Sequence, residues 1–499
     1  MVEPSDLLDN RRPLPGWLAV ALVAGTSAAV LVLEILAARL LAPYVGVSLE
    51  TYTGIIAVVL AGIAVGAWVG GWVADRVDPR RLLPVLLTAG GALALLTIPT
   101  VRIVGQSGID GPSGVLVLAT LGFLPSATVL SAIPPAVVKL QLHDLDATGS
   151  VVGRLSAWGT AGAIIGTLTT GFVLVAVAAV TSLIVAVAAA LLLAGVIMWL
   201  ADPRATRSAG GTGTAMASAI GVALLAGGGV VATDNPCETQ TRYYCVSVVD
   251  DVDRPTGRVL ILDDLRHSYV DVDDPTYLDF WYVRQFAGAI DAAAADGPLS
   301  VGHIGGGAFT MPDWVRATRP GSEQVVFEID GDLVDLVVEQ FDVDVGAGTG
   351  VDVRVGDARL SLGELDDDSL DVVLGDAFGS RSVPWHLATS EFVEEIRRVL
   401  RPDGIYVLNL IDEGAEDFLR AEAATLDSVF DHVAVVLGPN ASAGRLGNSV
   451  LIAGDAPFDP GLIDPDGGRV VEDLTTFVGG ASVLTDDFAP VDQLIAGGR

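Results

Sequence analysis

The sequence predicts two structural classes in one chain: a multi-pass α-helical membrane domain over residues 1–234, followed by a soluble α/β domain built on a doubly wound sheet. Three observations carry this. Residues 1–234 are overwhelmingly apolar, whereas residues 235–499 hold 49 Asp and Glu against 17 Arg and no Lys. Seven apolar segments lie in the first part, each long enough to cross a ~30 Å hydrocarbon layer as a helix of about twenty residues. In the second part strand-like and helix-like runs alternate, the pattern of a largely parallel sheet covered by helices on both faces.

The seven segments are roughly 17–41, 53–74, 82–104, 114–138, 155–176, 178–200 and 214–233. The first is too long for a cleaved signal peptide, whose apolar core runs to about 7–15 residues, and further spans follow it. Gly62, Gly66 and Gly70, and likewise Gly162 and Gly166, recur every four residues, so one face of each helix is smooth enough for close helix contact. Glu34 interrupts the first segment; it reads as a structural hydrogen-bonding group near the interface, or else as part of an ion or substrate path. Arg39 is expected to snorkel toward a surface.

After the spans, a linker and small β-module occupy 235–298 and the sheet domain 299–499. Candidate strands are 258–263, 269–273, 300–304, 324–329, 351–355, 371–375, 404–410, 433–437 and 449–453, with helices at 275–293, 331–340, 388–400 and 415–429. The first two strands are too close for a helix between them and form a hairpin ahead of the sheet. The net charge is −33, with Lys139 the single lysine, and the Asp residues are spread in runs such as Asp366 to Asp368. That is the composition of a protein adapted to high salt, where counter-ions screen self-repulsion, and it argues against nucleic acid as a partner.

Residues 301–330, VGHIGGGAFTMPDWVRATRPGSEQVVFEID, hold the densest functional signal. Gly305, Gly306 and Gly307 end an apolar strand and let the backbone turn tightly against a ligand; Glu328, about twenty residues on, ends the next strand and can accept from ribose hydroxyls. Asp357 and Ala358 follow a third strand and Asp376 a fourth, all at the carboxyl ends where such sheets bind ligands. The triplet is not the G-x-G-x-x-G fingerprint, and a plain strand-to-helix turn is its alternative reading. For Asp376 the alternative is a helix N-cap. His386, in VPWHL, reads as a residue fixing a loop over the site. None of the five histidines shows metal spacing with either Cys, so no metal is expected. No G-x-S-x-G elbow or Walker loop occurs, so hydrolase and NTPase readings are poorly supported.

GRVLILDDLRHSYVDVDDPTYLDFWYVRQF, then IGGGAFT, FEID, GDAR and LGDAFGSRSVPWHLATSEFVEEIRRVLRPDGIYVLNLID, resemble the spermidine synthase-like (polyamine aminopropyltransferase) family. The helical N-terminus and TDDFAPVDQL (485–494) are similar to its membrane-fused members. The resemblance implies an S-adenosylmethionine-methyltransferase-like Rossmann sheet with an N-terminal β-module. It also implies a co-substrate, decarboxylated S-adenosylmethionine or S-adenosylmethionine itself, and an amine acceptor. Carried over residue by residue, Glu328 binds the ribose, Asp357 with Ala358 faces the adenine, Gly305 to Gly307 cradle the sulfonium end, and Asp376 is the general base. His267 and Tyr282 stand where the family contacts the acceptor. The chain departs from the pattern where an Asp gives way to Ala308, a second acid to Gly379, and a Tyr-His-Glu triplet to Tyr282, Val283 and Arg284. Polyamine synthesis at the cell membrane is the leading function; methyl transfer to another acceptor, and a non-catalytic nucleoside- or polyamine-binding membrane protein, are the alternatives. The lipid bilayer is a partner, and a homo-oligomer is left open.

Sidedness divides the readings. If all seven segments cross, Arg11 and Arg12, Arg76 with Arg80 and Arg81, Lys139 with Arg154, and Arg204 with Arg207 share one face, which the positive-inside rule makes cytoplasmic. Residues 235–499 then lie outside the cell, where a Cys237–Cys245 disulfide is reasonable. A cytosolic S-adenosyl donor instead requires a segment, 214–233 first, to be re-entrant or non-spanning.

Overall fold

The computed structural model describes residues 14–109, 111–142, 148–201, 211–293, 297–379, 382–412, 415–459 and 464–496. It forms two compact units, Met1–Cys245 and Val246–Arg499. Arg11, Arg12, Arg204 and Arg207 lie outside the described residues.

The first unit is helical: α1 (Gly16–Val45), α2 (Leu49–Ala74), α3 (Pro79–Gly105), α4 (Gly111–Gly122), α5 (Leu124–Ser131), α6 (Ile133–Gln141), α7 (Thr148–Thr169), α8 (Val180–Ala201) and α9 (Thr212–Ala232). Among the described residues six helices are long and apolar enough to cross a membrane: α1, α2, α3, α8, α9, and α7 with its continuation to Val177. The fourth expected segment is broken, with 111–122 and 124–141 bent by 44°. Pro125 and Pro134 begin the short helices after the break, and a proline inside a helix removes a hydrogen bond and clashes with the preceding turn. Large apolar side chains such as Leu60, Trp68, Ile164, Ile165 and Phe172 face outward, an exposure that water penalises.

The glycine faces are where helices meet. A Cβ on Gly66 would come within 2.1 Å of the Thr128 carbonyl oxygen, and one on Gly162 within 2.2 Å of that of Ala24. These contacts also set direction. Gly54 abuts Val115, Gly62 abuts Ala127 and Gly70 abuts Ala132, so the bent segment runs beside α2, in the same sense, for most of its length. The two pieces thus pack along α2 as one bent segment. At its end Lys139 Nζ pairs with Asp75 at 2.8 Å, beside the Arg76–Arg81 turn. Helix α9 likewise runs parallel to α3: Thr88 Oγ1 reaches Met216 Sδ at 3.5 Å, Gly229 abuts Pro99, and Arg102 Nη1 donates to the carbonyls of Val230 (3.1 Å) and Thr233 (3.0 Å). Segment 214–233 is therefore no re-entrant loop, because its apolar helix has the full length of α3 to pack against. The chain leaves the bundle at the face where α3 ends, opposite the basic turn. There Arg39 donates to the backbone oxygens of Thr241 (2.7 Å) and Arg242, and a disulfide joins Cys237 to Cys245.

The second unit opens with an antiparallel meander, β1 (Cys245–Asp250), β2 (Gly257–Leu262) and β3 (Leu265–Asp271). Strand β1 was not expected, and β3 begins four residues before the expected 269 because Asp263, at φ 54°, closes a two-residue turn. Helix α10 (Trp281–Ala293) starts later than 275, since the Asp271 and Asp274 side chains accept from Asp273, Asp274 and Thr276 N–H groups and hold 271–276 in turns.

Then come β4 (Ser300–Ile304), α11 (Thr310–Thr318), β5 (Glu323–Glu328), α12 (Gly331–Phe341), β6 (Val351–Val355), α13 (Ala358–Leu362), β7 (Leu370–Gly375), α14 (Ser390–Val399), β8 (Leu400–Asp412), α15 (Asp417–Asp427), β9 (His432–Leu437), β10 (Gly447–Gly454), β11 (Arg469–Val470), α16 (Leu474–Val478) and α17 (Val491–Ala496). The sheet order is β11-β9-β10-β8-β7-β4-β5-β6. Strands β6, β5, β4, β7 and β8 are parallel, while β10 pairs antiparallel with both β8 and β9. The short β9–β10 connection leaves no room for a crossover helix, so that edge reverses. The strand order changes direction between β4 and β7, opening a crevice at their carboxyl ends.

Candidate functional site

The glycine triplet sits in that crevice. Gly305 has φ +92°, and a Cβ there would lie 2.5 Å from the Asp376 carbonyl oxygen; Gly307 has φ +51° and faces Ser268 Oγ. Both positions demand glycine, for left-handed backbone and for space. The meander braces the loop, with Ala308 N–H donating to Ser268 Oγ (3.1 Å) and Thr310 Oγ1 to the Tyr269 carbonyl (3.2 Å).

Glu328, at the end of β5, is nearly buried beneath the loop. Its Oε2 accepts from Gly306 N–H (2.9 Å) and its Oε1 from Asp330 N–H (3.0 Å). Burial raises its carboxyl pKa and these backbone donors pull it back. Gly307 adds a third backbone hydrogen bond to this carboxylate, which leaves it limited capacity for a further donor. Asp357 is more committed: Oδ1 caps α13 by accepting from Arg359 and Leu360 N–H (2.9 and 3.3 Å), and Oδ2 lies 2.9 Å from His386 Nε2. His386 occupies a 3₁₀ turn, Trp385–Leu387, and its carbonyl accepts from Arg359 Nη1 (3.0 Å). The same guanidinium grips Asp486 through two bonds of 2.7 and 2.6 Å, tying in the 485–494 segment. The ion pair was not read from sequence, because its partners stand 127 residues apart.

Asp376 follows β7 and precedes no helix, so the N-cap alternative is not realised. Tyr282 Oη donates to its Oδ2 (2.9 Å) and Asn409 Nδ2 to its Oδ1 (2.9 Å), while Asn448 Nδ2 donates to Asn409 Oδ1 (3.0 Å). Desolvation lifts the carboxyl from 3.8 to about 6, against the two donors. Asn409 and Asn448 escaped the sequence reading. A buried Asn in the apolar run IYVLNLI was the available signal, since a polar side chain there needs a partner.

Two cavities meet at this carboxylate. One of about 40 Å³ is bounded by Gly305, Gly306, Gly307, His267, Tyr282 and Asp376. The other, about 550 Å³, shares His267, Asp279, Phe280, Tyr282 and Asp376 and extends to Phe378 and Asn448. His267 stands edge-on to Phe378, and desolvation lowers it to about 4, leaving it neutral at pH 7. Ala308, where an acid was expected from the resemblance, is fully buried. Among the described residues no three His, Cys, Asp or Glu side chains group as metal ligands.

A doubly wound sheet, a glycine loop at its switch point and an acid ending the next strand form the arrangement in which doubly wound folds place ligands. By sequence the α/β unit is similar to polyamine aminopropyltransferases. It is 29% identical over 140 residues to a probable polyamine aminopropyl transferase of Bifidobacterium longum, covering 28% of this chain and 30% of that protein. It is 30% identical over 175 residues to a polyamine aminopropyltransferase of Vibrio vulnificus, covering 34% and 56%. The chain thus spans about half or less of the curated relatives it matches. Among solved structures, a probable spermidine synthase from Corynebacterium glutamicum is 28% identical, with a TM-score of 0.47 over 51% of this chain and 97% of that one. No family model matches the chain.

Proposed function

We propose that the second unit transfers an aminopropyl group from decarboxylated S-adenosylmethionine to an amine. The carrying observation is the Asp376 carboxylate at the wall shared by the two cavities, poised near pH 6 and held by neutral donors. Bound, the donor supplies a sulfonium that leaves as a neutral thioether when its propyl carbon is attacked. Glu328 offers its remaining acceptor capacity to the ribose hydroxyls. At 357–358 the Asp357 carboxylate is engaged by α13 and His386, so the Ala358 backbone is the better candidate for the adenine edge. The small cavity admits only the reacting end of the donor. Asp376 accepts the ammonium proton, freeing the nitrogen lone pair to form the new C–N bond as the C–S bond breaks.

The test is release of methylthioadenosine by the full chain in nanodiscs at high salt, where the acidic surface is expected to be at home. Release with an amine and the decarboxylated donor supports the reading; methyl transfer from S-adenosylmethionine alone replaces it with the methyltransferase reading.

One observation favours a second reading, a nucleoside- or amine-binding membrane protein without turnover. The chain leaves the helical bundle opposite Arg76, Arg80, Arg81 and Lys139, and the positive-inside rule assigns that exit face to the outside, where a cytosolic donor is absent. The Cys237–Cys245 disulfide fits that face. Labelling intact cells with an impermeant maleimide, before and after an impermeant reductant, separates the two. Cysteines that label only after reduction support binding without turnover, and cysteines shielded under both conditions support transfer.

A further inference from the structure

The larger cavity has a polar end and an apolar body. Its polar end is Asp376 with Tyr282, Asn409 and Asn448. Leu265, Phe280, Trp281, Phe378, Ile411 and Leu446 form its apolar lining. Its other charged lining groups are neutralised in place: Arg266 Nη2 lies 3.4 Å from Asp279 Oδ2 and its guanidinium sits 5.3 Å over the Phe280 ring, while Arg284 Nη2 lies 2.7 Å from Asp466 Oδ2. Among the described lining residues, Asp376 is thus the one carboxylate with no cation on it. Ala308 and Gly379 add no second acid.

A diamine entering this cavity would set one ammonium on Asp376 and strand the other against aromatic and aliphatic walls, where an unpaired charge is strongly disfavoured. A monoamine with an apolar or aromatic body meets both ends. We infer that the acceptor site selects a hydrophobic monoamine over an α,ω-diamine. This deepens the transfer reading by naming the acceptor class of the same site, and it holds for binding whether or not transfer follows.

The test uses the full chain in nanodiscs, with 2-phenylethylamine and hexylamine against 1,4-diaminobutane. Calorimetry reads affinity, and methylthioadenosine release with the decarboxylated donor reads turnover. Monoamine binding tighter by about tenfold or more is expected, because the second ammonium finds no partner. Leu446→Ala, at the rim, should narrow that preference, and Ile411→Asp should raise the affinity for 1,4-diaminobutane by supplying the missing acid. Monoamine preference with no release of methylthioadenosine upholds the inference and sinks the transfer reading. Preferential binding of 1,4-diaminobutane overturns the inference while leaving transfer intact. Binding of none of the three amines also overturns it.

Discussion

Glycine is used for opposite ends in the two units. In the helical bundle Gly66 and Gly162 keep ordinary helical backbone, and the missing side chain lets another helix press its carbonyls to within about 2 Å of where a Cβ would be. In the α/β unit Gly305 and Gly307 adopt positive φ, and the missing side chains leave the loop backbone against Asp376 and Ser268. The first use lets helices meet backbone to backbone. The second shapes a site. Damage to the bundle should therefore appear as lost stability, and damage to the loop region as lost chemistry or affinity.

The largest effect belongs to Asp376. Asp376→Asn should lower turnover by about 10²–10⁴ with nucleoside affinity nearly unchanged, measured by methylthioadenosine release beside calorimetry. Normal turnover in that variant would remove the proposed base. The same carboxyl sets the pH profile. With its pKa raised to about 6, the basic form is lost as pH falls through that value, so the rate should climb through pH 6 and level off above it. A rate already flat at pH 5 would place the proton elsewhere.

Glu328→Gln should weaken nucleoside binding by ~1.5–3 kcal/mol, the size of hydrogen bonds to a charged group, and an unchanged dissociation constant would take Glu328 out of the site. In the bundle, Gly162→Val should reduce thermal stability in detergent by roughly 1–3 kcal/mol, as overpacking does, while an isolated 246–499 chain carrying no bundle would be indifferent. If Gly162→Val leaves the melting temperature untouched, the α1–α7 contact is not as close as drawn. Smallest of all, Arg359→Gln should cost no more than about 1 kcal/mol, because the Asp486 pair is partly exposed and screened. A much larger loss would mean that the 485–494 segment depends on that one ion pair.

Much of this was legible in the residues. The strands 300–304 and 351–355 run where their apolar patterns place them, and the glycine loop, Glu328 and Asp376 fall at strand ends as expected. Local patterns carry such information: a period of two, a run of apolar residues, a glycine where a chain must turn. The break in the fourth span was also written locally, in Pro125 and Pro134, though its 44° bend was not anticipated.

By itself the sequence determined the division into an apolar helical part and an acidic α/β part, the sidedness options, and the placing of Gly305 to Gly307, Glu328 and Asp376 at strand ends. Each rests on composition or on residues near one another in the chain. Only the tertiary structure decided that segment 214–233 runs the length of α3, that Tyr282 and Asn409 close on Asp376, and that Arg359 holds Asp486. Those contacts join residues 33 to 131 positions apart. Such pairs leave no periodic trace in the sequence, because the packing of whole elements, and no local propensity, brings them together.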